Sequence, residues 1–437
     1  MRNYFISPTG RPDAAGTQAD PWSFTRLLPT HAEPFQPAPG DSILLARGAQ
    51  FPGWLEWYYL PDRLRPVSLG CYGPEDRPRP KVLSGQRIGL DCGGSGLIVR
   101  DIDFVGEGGE AGIRVNHAQD GLPSGGYLFE RISATGYGLA GLMVSVSFLV
   151  EDVMIRNSEF SGNANGVFVS AALNGRNLLR HLSVIDTKAN DNKLSNPQSR
   201  GNGFSLVGVT DLKLVGCEAW RNGHTDGRGH SGFTAQQCRL LLIDHCKAGD
   251  TAPGPDGDGQ DFVLNSCEDG EVQYCESDGG HIGFAAHDDR IYFEPDWQSR
   301  WLVFRHNHAR GNTVCYQVFL GRGGIDLHDN EGHTWATESE YRKVLDFWPA
   351  PEGEGGAVRL RDNNFLAEGT ALLLEAGGPD GLRDVHFEGN HSWTATRPDP
   401  FVVQGSGYAT LAAALAVVPV EARKPRGFSD ARTPDCR

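Results

Sequence analysis

A regular repeat of short apolar runs constrains this chain more than any other feature. Phe204, Phe233, Phe262 and Phe284 each open a strand-like run, as in Phe204-Ser205-Leu206-Val207 and Phe262-Val263-Leu264-Asn265. The first two steps, Phe204 to Phe233 and Phe233 to Phe262, are equal in length, and the third is shorter. Earlier copies stand at Ile113, Leu142 and Val167, usually after a glycine. A second run follows each one, for example Leu212-Lys213-Leu214, Leu241-Leu242-Ile243 and Val385-His386-Phe387. After it a small or polar residue recurs: Ser158, Thr187, Cys217, Cys246, Cys275, Asn307, Asn330, Asn364 and Asn390, with spacings of 29, 30, 29, 29, 32, 23, 34 and 26.

A 20–30-residue period of strands and turns is the signature of a solenoid, in which no repeat buries its apolar side without its neighbours. Equivalent residues then lie one strand spacing apart, about 4.8 Å. Stacked Asn side chains bond one to the next inside such a coil, and stacked thiols pack there as small apolar groups. Cys238 and Cys267, also 29 apart, fit a second column. Composition agrees: 57 Gly and 26 Pro in 437 residues suit many turns and little helix. The nine Cys are odd in number and lack Cys-x-x-Cys clustering, so the expectation is neither a complete disulfide framework nor a thiolate metal site. A net charge of −15 with no basic run argues against nucleic acid as partner. No apolar stretch reaches the roughly 18 residues of a membrane helix. Met1-Arg2-Asn3-Tyr4 begins no secretory signal, so the expected compartment is the cytoplasm as written, or outside it if a signal was trimmed.

The periodicity and the Asn/Cys ladder resemble the right-handed parallel β-helix superfamily, typified by pectate lyases and related polysaccharide hydrolases. The opening Tyr4-Phe5-Ile6-Ser7-Pro8-Thr9-Gly10 and then Pro39-Gly40-Asp41-Ser42-Ile43-Leu44-Leu45 looks like the first segment of many such proteins. Between them Asp20-Pro21-Trp22 is a helix start, predicting a capping helix over Trp22 to Leu28. The expectation is an all-β, single-stranded right-handed parallel β-helix in one structural domain: segment and cap over 1–89, coils over 90–405, and C-terminal cap and tail over 406–437. Leu411 to Val418 suits a short helix. The resemblance implies fold; this fold hosts many reactions.

Period-2 alternation puts the four Phe inside and the residues one before, one after, three before and three after them outside. That outward stripe holds Gln236, Asn265 and His287 on one side and His230, Asp261 and His281 on the other, with Asp258 and Asp288 beside them. Arg200 and Asn202 take the same place in an earlier coil. Two carboxylates flanking one bond are what glycoside hydrolysis needs. Asp258 and Asp261 are therefore the expected acid/base or nucleophile, with Asp288, His230 and His281 in support. Arg200, Asn202, Gln236, Asn265, His287, Trp220 and Trp297 are expected to bind substrate. The rival is elimination from a uronate, with Lys193, Arg200 or His230 as base. The loose Asp-x-Asp-x-x-Asp of Asp256, Asp258 and Asp261 is a weak Ca²⁺ candidate; otherwise no cofactor is expected. The Asp-Gly-x-x-Asp-Ile motif of pectate lyases and the Asn-x-Asp motif of polygalacturonases are absent. The acidic net charge favours a neutral or weakly charged glycan. Loops 188–200, 288–300 and 331–355, the last carrying Trp335, Tyr341, Phe347 and Trp348, are expected to wall a groove. The expected function is carbohydrate metabolism by a glycosidase, with polysaccharide lyase, uronate epimerase and non-catalytic glycan binding as alternatives.

Overall fold

The computed structural model describes residues 2–117, 124–193, 201–223, 230–254, 259–288, 299–319, 324–348, 357–377, 379–389 and 391–418. The chain winds as a right-handed parallel β-helix with three stacks of parallel strands. In the first stack the Phe-opened runs pair in register, Phe204 on Phe233, Phe233 on Phe262 and Phe262 on Phe284. The second runs pair likewise, Leu212 on Leu241 and Leu241 on Gly270. Short strands make the third stack, Ala219 on Ala248 on Ser277.

The rings form one continuous pile inside the coil. Phe204, Phe233, Phe262 and Phe284 stack at 4.8, 4.9 and 4.9 Å between centroids, within 9° of parallel. Tyr316 extends the pile at 5.3 Å, and its hydroxyl donates to the carbonyl of Glu331. All five are at most 1% exposed. Each buried ring contributes roughly 1.5–3 kcal/mol by leaving water, and stacking adds about 0.5–1.5 kcal/mol. Leu345 and Leu374 continue the same inward column.

The polar ladder is also internal. Cys217, Cys246 and Cys275 are at most 1% exposed, and the Cys275 amide donates to Asn307 Oδ1 at 3.0 Å. Asn307 donates to Asn330 Oδ1, and Asn330 to Asn363 Oδ1. The rung is Asn363, 1% exposed, and not the expected Asn364, which faces solvent. The reason is the residue just before each rung. Asp186, His245, Tyr274, His306, Asp329 and Asp362 all adopt left-handed φ near +50°, turning the chain between stacks. Asp362 makes that turn, so the next residue, Asn363, points inward. Left-handed φ suits Gly, Asn and Asp best. Asn390 lies outside the described residues. His391 closes the ladder instead: its Nδ1 accepts from the Asn363 amide and its Nε2 donates to Leu360 O at 3.0 Å.

At the N-terminus the expected helix from Asp20 is replaced by one 3-10 turn, Phe24–Leu27, after Ser23. Trp22 is extended and bridges to Ile6, while the Asp20 carboxylate accepts the Ala15 amide. Phe24 and Leu27 still cover the coil end, with Phe24 packed on Phe51. The C-terminal helix is present over Leu411–Ala416, and the Thr410 side chain caps Ala413 N. The eight described cysteines are free thiols.

Candidate functional site

The strand-opening corner breaks the expected alternation. Gly203, Gly232, Asp261 and Gly283, each one residue before an inward ring, are all buried. There is little room: a Cβ on Gly203, Gly232 or Gly283 would come within 2.7 Å of the next coil's backbone oxygen. Asp261, expected to face outward, is therefore 0% exposed. Its Oδ2 accepts from Ser277 Oγ at 2.6 Å and Asn312 Nδ2 at 3.2 Å. Burial pushes its carboxyl up to about 7. Enclosed in this way, Asp261 is neither within a substrate's reach nor open as a Ca²⁺ ligand.

Other expected site residues are also placed differently. His230 is 0% exposed, and a Cβ on Gly223 would lie 2.8 Å from its ring. Asn202 is 4% exposed and belongs to an internal chain of bonds: its amide donates to Asn165 Oδ1 and its Oδ1 accepts from Ser231 N. Asp288 is 6% exposed beneath Ser266. His281 is half-buried, its carbonyl bonded to the Val314 amide. Trp220 lies on the third stack, its indole against Gly249, away from the other expected binding residues. Lys193 pairs with Asp191 at 3.5 Å. Arg200, Asp256, Asp258 and Trp297 lie outside the described residues.

The other half of the stripe is brought together as expected. Gln236, Asn265 and His287 are partly exposed and pair in register, one per coil. The same outward face continues to Phe319 and Trp348, which are 41% and 45% exposed and stack at 6.2 Å. On the adjoining outward column, Gln317, Asp346 and Glu375 follow one another on neighbouring coils.

Asp346 and Glu375 form the densest arrangement of chemistry-bearing groups on this face. Lys343 Nζ lies 2.9 Å from Asp346 Oδ1 and also contacts Glu375 Oε2. Asp346 Oδ2 accepts from Gln317 Nε2 at 2.8 Å and Trp348 Nε1 at 2.9 Å. Tyr341 donates to Glu375 Oε1 at 2.5 Å. Burial, helped by the bond to Glu375, raises the Tyr341 hydroxyl well above its ordinary value, so it stays a proton donor at neutral pH. Asp346 lies at the floor with its side chain 4% exposed, Lys343 is 11% exposed, and Glu375 is more open at 24%. Sequence reasoning singled out Tyr341 and Trp348 but missed Asp346, Lys343 and Glu375. The signal for Lys343 and Asp346 was Lys343-Val344-Leu345-Asp346-Phe347-Trp348, a strand whose inward anchor is Leu where four earlier coils carry Phe. Among the described residues no three His, Cys, Asp or Glu side chains are placed to hold a metal ion.

No family model and no curated protein matches this chain. Among solved structures it is similar to a GH136 lacto-N-biosidase from Eubacterium ramulus, at 12% identity over 90% of this chain and 68% of that one, with a TM-score of 0.42. It is similar to a mannuronic acid specific polysaccharide family 6 lyase from human gut microbiota, at 12% identity over 90% and 87%, with a TM-score of 0.47. A pectate lyase gives 13% identity over 85% and 77%, with a TM-score of 0.42.

Proposed function

We propose that this protein is a carbohydrate-active enzyme that hydrolyses glycosidic bonds of a poly- or oligosaccharide lying along the face that carries Gln236, Asn265, Trp348 and Glu375. The observation that carries this reading is the Asp346–Glu375 pair, fixed by one ammonium beside exposed aromatic rings. Paired carboxylates divide the work of glycoside hydrolysis: one delivers a proton to the leaving oxygen while the other meets the positive charge that develops on the sugar. Glu375, the more exposed carboxylate, takes a proton from the attacking water and passes it to Tyr341, whose hydroxyl gives its own proton to the leaving oxygen. Asp346, bonded by Lys343, Gln317 and Trp348, is the fixed anion that stabilises the oxocarbenium-like charge. Lys343 sets the separation of the two. Gln236 and Asn265 bind sugar hydroxyls on the adjoining coils, and Trp348 offers an apolar ring to a sugar face. The acidic balance of the site and the chain favours a neutral glycan.

The test is one incubation of the protein, D346N and E375Q with neutral and acidic polysaccharides. New reducing ends without ultraviolet absorbance, lost by at least about 100-fold in both variants, are the expected result. Products carrying the absorbance of an unsaturated uronate would replace hydrolysis by elimination. Turnover that survives both substitutions would place the chemistry elsewhere.

A further inference from the structure

We infer that His287 is a positioning residue for the hydrolysis proposed above, acting through Gln317 to fix the Asp346 carboxylate. The inference rests on that reading and adds a residue two coils away from the carboxylate it serves. His287 Nε2 lies 2.7 Å from Gln317 Oε1, and Gln317 Nε2 lies 2.8 Å from Asp346 Oδ2. A carboxylate only accepts hydrogen bonds, so Gln317 must present its NH₂ to Asp346 and its oxygen to His287. His287 Nε2 therefore carries hydrogen. The reversed amide would set an oxygen against the carboxylate, so the Asp346 end fixes the amide and, through it, the histidine tautomer that donates to Gln317 Oε1. The histidine is itself anchored. Its backbone carbonyl accepts from the Ser266 amide at 3.0 Å and from Ser299 Oγ, and its ring lies against Phe319 at 6.0 Å.

Without His287, Gln317 keeps one partner and regains the freedom to rotate its amide. Asp346 then loses a fixed donor on Oδ2 and is held by Trp348 and Lys343 alone. Small displacements of catalytic groups reduce turnover more than binding. His287→Leu is expected to lower kcat about tenfold with KM within about twofold. His287→Gln, which restores an N–H at the same reach, is expected to recover most of the loss. The double variant H287L/Q317L is expected to be no slower than Q317L, because both substitutions break one relay.

The experiment pairs these kinetics with a readout that needs no turnover. In protein labelled with ¹⁵N at the glutamine side chains, hydrogen exchange of the Gln317 amide is followed by NMR. Slow exchange in the parent protein and H287Q, with fast exchange in H287L, is expected. Unchanged exchange or unchanged kcat in H287L overturns the inference, as does a failure of H287Q to rescue. Should H287L not fold, Q317L tests the same relay, and a Q317L of parental kcat overturns it. If D346N remains active, the proposed function fails, and the exchange result shows separately whether the relay exists.

Discussion

Asp261 occupies the rung that Gly280 leaves empty. Asn163, Asn192, Asn222 and Thr251 hold one turn of successive coils, and Asn312 holds it later; the Asn163 amide donates to Asn192 Oδ1 and the Asn192 amide to Asn222 Oδ1. At the coil between Thr251 and Asn312 the residue is Gly280, and a Cβ there would lie 2.3 Å from Asp261 Oδ2. The carboxyl thus crosses from the neighbouring corner to meet Ser277 and Asn312, while Asp261 Oδ1 has no hydrogen-bond partner among the described residues.

This buried acid makes stability depend on pH. Its folded pKa is raised to about 7 from 3.8, chiefly by burial, with Asp250 adding a smaller push in the same direction. Between those values the folded protein keeps a proton that the unfolded chain has lost. Stability therefore falls as pH rises through this window, and the loss is complete above about pH 7. The shift corresponds to roughly 4 kcal/mol. Asp261→Asn, which keeps a neutral polar rung, removes this contribution. Urea unfolding at pH 5 and pH 8 should show D261N gaining on the parent protein at the higher pH. An equal difference at both values would mean that Asp261 does not titrate there.

The two positions should also exchange roles. Gly280→Asn alone drives a side chain into the Asp261 carboxyl and should cost about 1–3 kcal/mol or more. D261G/G280N restores a glycine at the corner and an asparagine at the rung, the pattern of the coils holding Gly203 and Gly232. The double variant should recover most of the stability lost by G280N in thermal unfolding. A double variant no better than G280N would show that the two side chains do not compete for one space.

How far the sequence reveals this arrangement depends on the residue. The Phe pile and the Cys rungs are legible because Phe204, Phe233 and Phe262, like Cys217, Cys246 and Cys275, are evenly spaced and face inward. Asp261 is misread because alternation assumes a straight strand, whereas the chain turns a corner just before Phe262; the glycines at 203, 232 and 283 mark that corner. Asp346 and Glu375 are hidden for a different reason. Their coils anchor on Leu345 and Leu374, and only pairing register shows that these continue the column of rings. The carboxylate partners then come from separate coils, Glu375 lying one full coil after Asp346 in the chain. Nothing local to either carboxylate marks the other as its neighbour.

The one-residue shift at Asn363 gives a direct test of register. Asn330 sits between two rungs, bonded to Asn307, Asn363 and the Phe304 carbonyl. Asn363 donates in turn to the Leu327 carbonyl at 2.9 Å. Replacing either by alanine leaves buried partners unsatisfied and should cost about 2–4 kcal/mol. Asn364→Ala, one position on and exposed, should change stability by no more than about 0.5 kcal/mol. Chemical denaturation of N363A and N364A decides the matter, and a larger loss for N364A would reverse the assignment.

The rings beside the carboxylates should matter for binding more than for chemistry. Trp348 is 45% exposed, and its indole N–H is committed to Asp346 at 2.9 Å, which fixes the ring and leaves apolar surface open to a ligand. Phe319 stacks on it and is 41% exposed, with no polar atom in its side chain to serve in a reaction. Phe319→Ala should therefore raise KM several-fold, since a ring that touches bound and reacting sugar equally lowers both energies alike, with a smaller loss in kcat because the ring also lies against His287 and Trp348. Trp348→Ala removes the ring and a donor to Asp346 together, so both KM and kcat should suffer. Trp348→Phe keeps the ring and drops the donor, and its defect should lie in kcat. Steady-state kinetics on a polysaccharide found in the first incubation separates these effects. A Trp348→Phe variant with parental kcat would mean that the indole N–H does not help hold Asp346 for reaction.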